Sequence, residues 1–175
     1  MNRKLNDGRT KDFPLRSDIS DCDRGISRGN AKSMRTLREI IAGRKPITVT
    51  ATRSVWHAAK LMASKHVGAV VVVEGKKPLG ILTERDILNR VISPGLDPAS
   101  VKVSEIMTPD PMCLEPELLS CHAMALMTNS GFRHTPVVER GEVIGVVSIQ
   151  DAINEEHDEL ERMNKMLMNL ARHKQ

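Results

Sequence analysis

The chain has 175 residues, 26 basic against 22 acidic side chains for a formal charge of +4, and three aromatics, Phe13, Trp56 and Phe132. That length allows one ordinary domain or two small repeats, with a core burying about two-thirds of the surface of the unfolded chain. Three aromatics are too few to stack successive bases, the sequence has no run of 18 apolar residues of the kind that spans a membrane, and the scattered Cys22, Cys113 and Cys121 argue against a disulfide framework or a zinc knuckle.

Residues 1–35 hold nine of the basic and five of the acidic residues, interleaved with Gly and Ser and without apolar period. They offer too little apolar surface to offset the entropy of ordering and are expected to form a disordered basic tail. Asp7, Asp12, Asp18, Asp21 and Asp23 set the segment apart from a signal or transit peptide. With the cysteine pattern, this predicts a soluble protein of a reducing, cytoplasmic compartment. The rest of the chain holds 17 residues of each sign and is formally neutral.

Ile47–Thr50 reads as extended, and an amphipathic helix follows from Ser54 to Lys65 with Ala58, Leu61 and Met62 as its apolar stripe. Ala69–Val73, with four consecutive valines, predicts a strand buried on both faces, because β-branched residues suit that packing. A turn at Glu74–Lys77 leads to a strand at Pro78–Thr83. Thr83 then opens a helix that must end before Ser93-Pro94-Gly95.

The same order of elements returns at an offset of 65 residues. His57, Ala58, Leu61 and Met62 meet His122, Ala123, Leu126 and Met127; Val72, Val73 and Glu74 meet Val137, Val138 and Glu139; Gly80 and Asp86 meet Gly145 and Asp151. Upstream, Glu39-Ile40-Ile41 matches Glu105-Ile106-Met107 after a one-residue insertion. The fold class is therefore α/β: two β-α-β-β-α repeats, each too small to stand alone, packed pseudo-symmetrically around one core. The expected boundaries are 1–35 for the tail, 36–95 and 96–154 for the repeats, and 155–175 for a C-terminal helical extension.

Each repeat ends its last strand with glycine, two apolar residues, a hydroxyl residue and, three positions later, aspartate: Gly80-Ile81-Leu82-Thr83-Glu84-Arg85-Asp86 and Gly145-Val146-Val147-Ser148-Ile149-Gln150-Asp151. A hydroxyl followed at that spacing by an acid is a helix capping box. The acid is Asp in both copies although the box prefers Glu or Gln, and the repeated glycine implies close approach of something to the backbone. A hydroxyl at a helix N-terminus is also a natural phosphate anchor, and a carboxylate one turn inside can accept both hydroxyls of a ribose. The two roles are compatible.

These repeats, with Gly131-Phe132-Arg133-His134-Thr135-Pro136-Val137-Val138 and the segment from Gly95-Leu96-Asp97-Pro98 to Ile106-Met107-Thr108-Pro109, resemble a tandem pair of CBS domains over about residues 36–154. The module is named for cystathionine beta-synthase and is also called a Bateman module. The chain is most similar to small stand-alone pairs of bacterial type, and also to pairs attached to PB1 domains in eukaryotes. The resemblance implies two inter-repeat clefts that take AMP, ADP, ATP or S-adenosylmethionine as ligand, with no obligatory cofactor, in a non-catalytic regulatory protein that forms homodimers and acts on an effector protein. It implies that Thr83 and Asp86 serve one cleft and Ser148 and Asp151 the other. Ile47–Val49 and Met112–Leu114 would flank the base, placing Val49 and Leu114 there, and Gly68–Val70 and Arg133–Thr135 would line the clefts, adding Val70 and Thr135. Arg133 and His134 stand where the first repeat has Gly68 and Ala69. The resemblance thus assigns phosphate charge to Arg133 and His134, leaves the first repeat an apolar wall, and suggests one nucleotide per chain. A solvated surface arginine is the plainer reading of Arg133.

After Asp151 the helix does not stop. Ile153, Leu160 and Leu167 recur every seven residues with Glu156, Met163 and Leu170 in companion positions. The stripe packs either on its own domain or on another chain, and the acidic start of the polar face argues against a membrane role. No histidine or cysteine pair has metal-ligand spacing, no phosphate-loop signature is present, and nothing resembles a nucleophile with its base, so neither a metal site nor an enzyme is expected. A competing reading is a protein-interaction module with vestigial clefts that acts through its C-terminal helix or basic tail. Nucleic-acid binding by the tail would rest on charge alone.

Overall fold

The computed structural model describes residues 35–172. The tail expected at 1–35 lies outside the described residues except for Arg35, as does the side chain of Leu170. The first repeat comprises α1 (Leu37–Ile41), β1 (Thr48–Thr50), α2 (Val55–Lys65), β2 (Ala69–Glu74), β3 (Lys77–Thr83) and α3 (Glu84–Ile87), which widens into a π turn over Leu88–Ile92. The second has α4 (Val103–Ile106), β4 (Thr108–Pro109), α5 (Ser120–Ser130), β5 (His134–Glu139), β6 (Glu142–Ser148) and α6 (Ile149–Arg172).

Local chemistry explains most boundaries. Ser54 accepts from the His57 amide and caps α2, as its position before the apolar stripe predicts. The helix ends at His66 in the left-handed conformation, where the counterpart 65 residues on is Gly131. All five residues of β2 from Ala69 to Val73 are buried, matching the expected two-sided strand. Val70 and Val72 face the core of the first repeat, while Val71 and Val73 meet Val143 between the two sheets.

β1 pairs parallel with β2, and β3 pairs antiparallel with β2 and with the short β4. β5 and β6 pair antiparallel, and Leu114 bridges in parallel to Val137 as Val49 does to Val72. The pseudo-symmetry therefore extends to strand register.

The short helices are exchanged. Leu37, Ile40 and Ile41 of α1 are buried with Leu114, Met127, Val137 and Val147 of the second repeat, while Val103 and Ile106 of α4 are buried with Val49, Val55 and Leu82 of the first. Helix-start amides, which have no partner inside the helix, find one across the exchange. Leu37 and Arg38 donate to the carbonyls of Leu118 and Pro116 at 2.8 Å, and Val103 and Ser104 to those of Arg53 and Ala51 at 2.8 and 3.0 Å.

The exchange also explains the repeated glycines. A Cβ at Gly145 would lie 2.6 Å from Ile41 Cδ1, and one at Gly80 would lie 2.6 Å from Met107 Sδ and 2.9 Å from the Thr108 carbonyl oxygen. The close approach anticipated from sequence is that of the exchanged helix from the other repeat.

Leu37→Ala should cost about 2–5 kcal/mol in denaturant unfolding through loss of buried volume. Hydrogen exchange should show protection lost first in β5 and β6, although Leu37 opens the first repeat. Gly145→Ala and Gly80→Ala should each cost about 1–3 kcal/mol through overpacking against the exchanged segment; unchanged denaturation midpoints would contradict that account.

Candidate functional site

The Ser/Thr-x-x-Asp motif forms a complete capping box in both repeats. The Thr83 amide and hydroxyl donate to Asp86 Oδ2 at 3.0 and 2.7 Å, and the Asp86 amide returns a bond to Thr83 Oγ1 at 3.2 Å. At the start of α6 the Ser148 amide and hydroxyl donate to Asp151 Oδ2 at 2.8 and 2.6 Å, with the Asp151 amide 3.2 Å from Ser148 Oγ. Aspartate completes the box without the longer Glu. Each cap consumes one carboxylate oxygen and leaves the other turned to a cation.

Those cations differ. Asp151 Oδ1 is 2.6 Å from Arg44 Nη1, and the Arg44 side chain is 60% exposed. Asp86 Oδ1 is 3.3 Å from Arg90, which also donates to the carbonyls of Ile106 and Met107 at 2.6 and 3.3 Å. Arg90 is thereby tied to the end of α4, whereas Arg44 has only Asp151 as a side-chain partner among the described residues.

Each motif opens on a cleft. The larger, about 470 Å³, has Ser148, Asp151, Gly145 and Val146 on one side and Ile47, Val67, Gly68 and Ala69 on the other, with Arg44, Lys45, Lys65, His66 and His134 around them. The smaller, about 230 Å³, is lined by Thr83, Glu84, Arg85, Asp86, Thr108, Phe132, Arg133 and His134, among others. Ligand pockets usually run from about 300 to 1,000 Å³, so the first is large enough and the second falls short. Gly68 and His134 belong to both walls.

Thr83, Asp86, Ser148, Asp151, Arg133 and His134 all stand at cleft surfaces. Val49, Val70, Leu114 and Thr135 do not: Val49, Val70 and Leu114 are core side chains, and buried Thr135 donates its hydroxyl to the Met112 carbonyl at 2.6 Å. Strand alternation is the reason, since Ala69 and His134 face a cleft and the next residue on each strand points to the opposite side. The expectation that the first repeat offers only an apolar wall is also corrected: beside Ile47, Val67 and Ala69 stand Lys65 and His66 from the end of α2 and Arg44 and Lys45 from the linker before β1. Arg133 lines the smaller cleft alone. Sequence reasoning missed four of the five basic residues of the larger cleft, Arg44, Lys45, Lys65 and His66. The available signal was the contrast of Arg44-Lys45 and Lys65-His66 with Pro109-Asp110 and Ser130-Gly131 at the repeat offset.

Burial alone would raise the Asp151 carboxyl, but bonds from Ser148 and Arg44 outweigh it and hold the group below the usual carboxylate range. His134 is pushed below its usual 6.5 by burial and by Arg133, against weaker opposing pulls from Glu84 and Asp151. At neutral pH it is an uncharged imidazole between the clefts.

Ile153, Leu160 and Leu167 of the α6 stripe do not pack on their own domain. Ala152, Glu155 and Glu159 are the buried positions, while Ile153, Leu160 and Leu167 are 44%, 54% and 63% exposed. Glu155 is held by Arg162 at 2.9 Å and by Arg35 at 3.4 Å. Among the described residues no helix is long and apolar enough to cross a membrane.

Two pseudo-symmetric α/β repeats with exchanged helices and a capped aspartate in each cleft define a paired-repeat module. The sequence model of the CBS domain matches residues 37–93 and 103–158, and the chain belongs to that family. It is 40% identical over 122 residues to the CBS domain-containing protein CBSCBSPB1 of Arabidopsis thaliana, a match covering 69% of this chain and 22% of that one. The chain thus spans about a fifth of that relative's length. A CBS-domain containing protein from Agrobacterium tumefaciens superposes with a TM-score of 0.64 at 32% identity, covering 69% of this chain and 98% of that one. A CBS domain protein from Pyrobaculum aerophilum, complexed with AMP, gives 0.62 at 28% identity over 67% of this chain and 89% of its own.

Because the folded pKa of His134 lies below the unfolded one, its contribution to stability is full above the usual 6.5 and is lost as pH falls toward the folded value. Melting curves should therefore lose less between about pH 7 and about pH 5 in His134→Gln than in the wild type. Parallel losses in the two proteins would show that His134 is not the group responsible.

Proposed function

We propose that this protein is a non-catalytic regulatory sensor that binds an adenosine-containing ligand (AMP, ADP, ATP or S-adenosylmethionine) between its two repeats. The observation that carries this reading is the larger cleft, of nucleotide size, in which the Asp151 carboxylate at the start of α6 stands opposite an apolar wall of Ile47, Val67 and Ala69. Asp151 suits ribose hydroxyls and the apolar wall suits an adenine face. The AMP complex of the Pyrobaculum relative supports the ligand class. The smaller cleft is the weaker site, so one ligand per chain is the expected stoichiometry.

A ligand in the larger cleft would touch both repeats and the first turn of α6. Its differential affinity for two arrangements of those parts would supply the regulatory shift. α6 runs for 24 residues, about 36 Å at 1.5 Å per residue. Its exposed stripe gives an effector or a second copy a surface to read, and a homodimer of a reducing cytoplasmic compartment fits this arrangement. The same stripe favours a second reading, an interaction module whose clefts are vestigial and whose partner binds α6.

Calorimetry with AMP, ADP, ATP, S-adenosylmethionine and NADH separates the two. The sensor reading expects saturable binding of an adenosine compound at one site per chain. Asp151→Ala should weaken it by about 1.5–3 kcal/mol, the range for a hydrogen bond to a charged group, while Asp86→Ala leaves it nearly unchanged. Absence of heat with every compound would leave the interaction module as the surviving reading.

A further inference from the structure

Adenosine compounds divide electrostatically. Nucleotides present phosphate anions, whereas S-adenosylmethionine presents a sulfonium and an ammonium beside a single carboxylate. The walls of the larger cleft carry three permanent cations, Arg44, Lys45 and Lys65, and two imidazoles, His66 and His134, against the single carboxylate of Asp151. The cations sit on two separate segments, the linker before β1 and the end of α2. Three cations against one carboxylate suit a ligand that carries several negative charges.

This asymmetry belongs to one cleft. At the repeat offset Arg44-Lys45-Pro46 becomes Pro109-Asp110-Pro111, and Lys65-His66 becomes Ser130-Gly131. The smaller cleft sets Glu84 and Asp86 against Arg85 and Arg133. Scaffold symmetry therefore does not account for the cation excess.

Arg44 stands apart from the other cations. It occupies Asp151 Oδ1 at 2.6 Å, the oxygen left over by the cap, while most of its side chain is exposed. A ribose that takes both its hydroxyls to that oxygen competes with the guanidinium for it, and a displaced guanidinium stands in the cleft beside the phosphates. The arginine paired with the other capped aspartate, Arg90, is anchored to two main-chain carbonyls and has no such freedom.

We infer that the larger cleft is a nucleoside polyphosphate site in which Arg44 leaves Asp151 for the phosphates as the ribose takes its place. The inference rests on the adenosine-ligand reading and narrows it. It makes the Arg44–Asp151 pair a gate against S-adenosylmethionine, whose single carboxylate arrives with two cations and compensates a displaced guanidinium less than a phosphate chain does.

The test is calorimetry on the full chain with ATP, ADP, adenosine, S-adenosylmethionine and inorganic tripolyphosphate, repeated on Lys65→Ala and Arg44→Ala. Both side chains are exposed, and circular dichroism checks that the variants fold. ATP and ADP should bind at least about tenfold more tightly than S-adenosylmethionine, and Lys65→Ala should weaken ATP by about tenfold while leaving adenosine within about twofold. Arg44→Ala should shift the two ligands in opposite directions, ATP weaker and adenosine tighter. S-adenosylmethionine binding as tightly as ATP, or either variant changing adenosine and ATP alike, would overturn the polyphosphate site and leave the adenosine reading standing. Tripolyphosphate binding without any adenosine compound would overturn both in favour of a bare anion site, and no binding by any probe would overturn both outright.

Discussion

The exchange of α1 and α4 between the repeats is the constraint from which the rest of the molecule follows. Each repeat has a sheet and two helices but leaves one side of its core uncovered. The other repeat's short helix closes that gap, with Leu37, Ile40 and Ile41 on one side and Val103 and Ile106 on the other. A single copy would expose those apolar surfaces and leave amides at the start of each short helix without partners. The pair is thus one folding unit, and Gly80 and Gly145 are the points where the exchanged segments lie too close for a side chain.

The clefts are a consequence of that exchange. To travel from α1 on the second repeat to β1 of the first, the chain must pass the start of α6, which places Arg44 and Lys45 beside Asp151. The corresponding passage from α4 places Thr108 beside the Thr83–Asp86 cap. A symmetrical scaffold therefore delivers two different linkers to two equivalent caps. The cap geometry is nearly the same in both; only the partner of the spare carboxylate oxygen differs, exposed Arg44 in one and anchored Arg90 in the other. Each cap takes one carboxylate oxygen and leaves the other to an arginine.

Patterns of short range were legible. α2 between its Ser54 cap and Lys65, the two-sided valine strand β2 and the uninterrupted α6 all follow from local periodicity and capping. The stripe of Ile153, Leu160 and Leu167 was visible too, but its direction was not. Glu155 and Glu159 take the buried face because Arg162 pairs with both and Arg35 with Glu155, and no periodicity reveals that arginine supply. The helix expected up to Ser93 widens at its end into a π turn that buries Val91.

The clefts between the copies are what the family resemblance implies; by itself the sequence determined the repeat, the order of its elements and the capped aspartates. These depend on contacts within a few residues or on comparison of one copy with the other. The tertiary structure decided which short helix covers which core, why the glycines recur and which cations reach Asp151. Arg44 and Asp151 are 107 positions apart in the chain, and only the packing of one repeat against the other brings a guanidinium to a carboxylate across that distance.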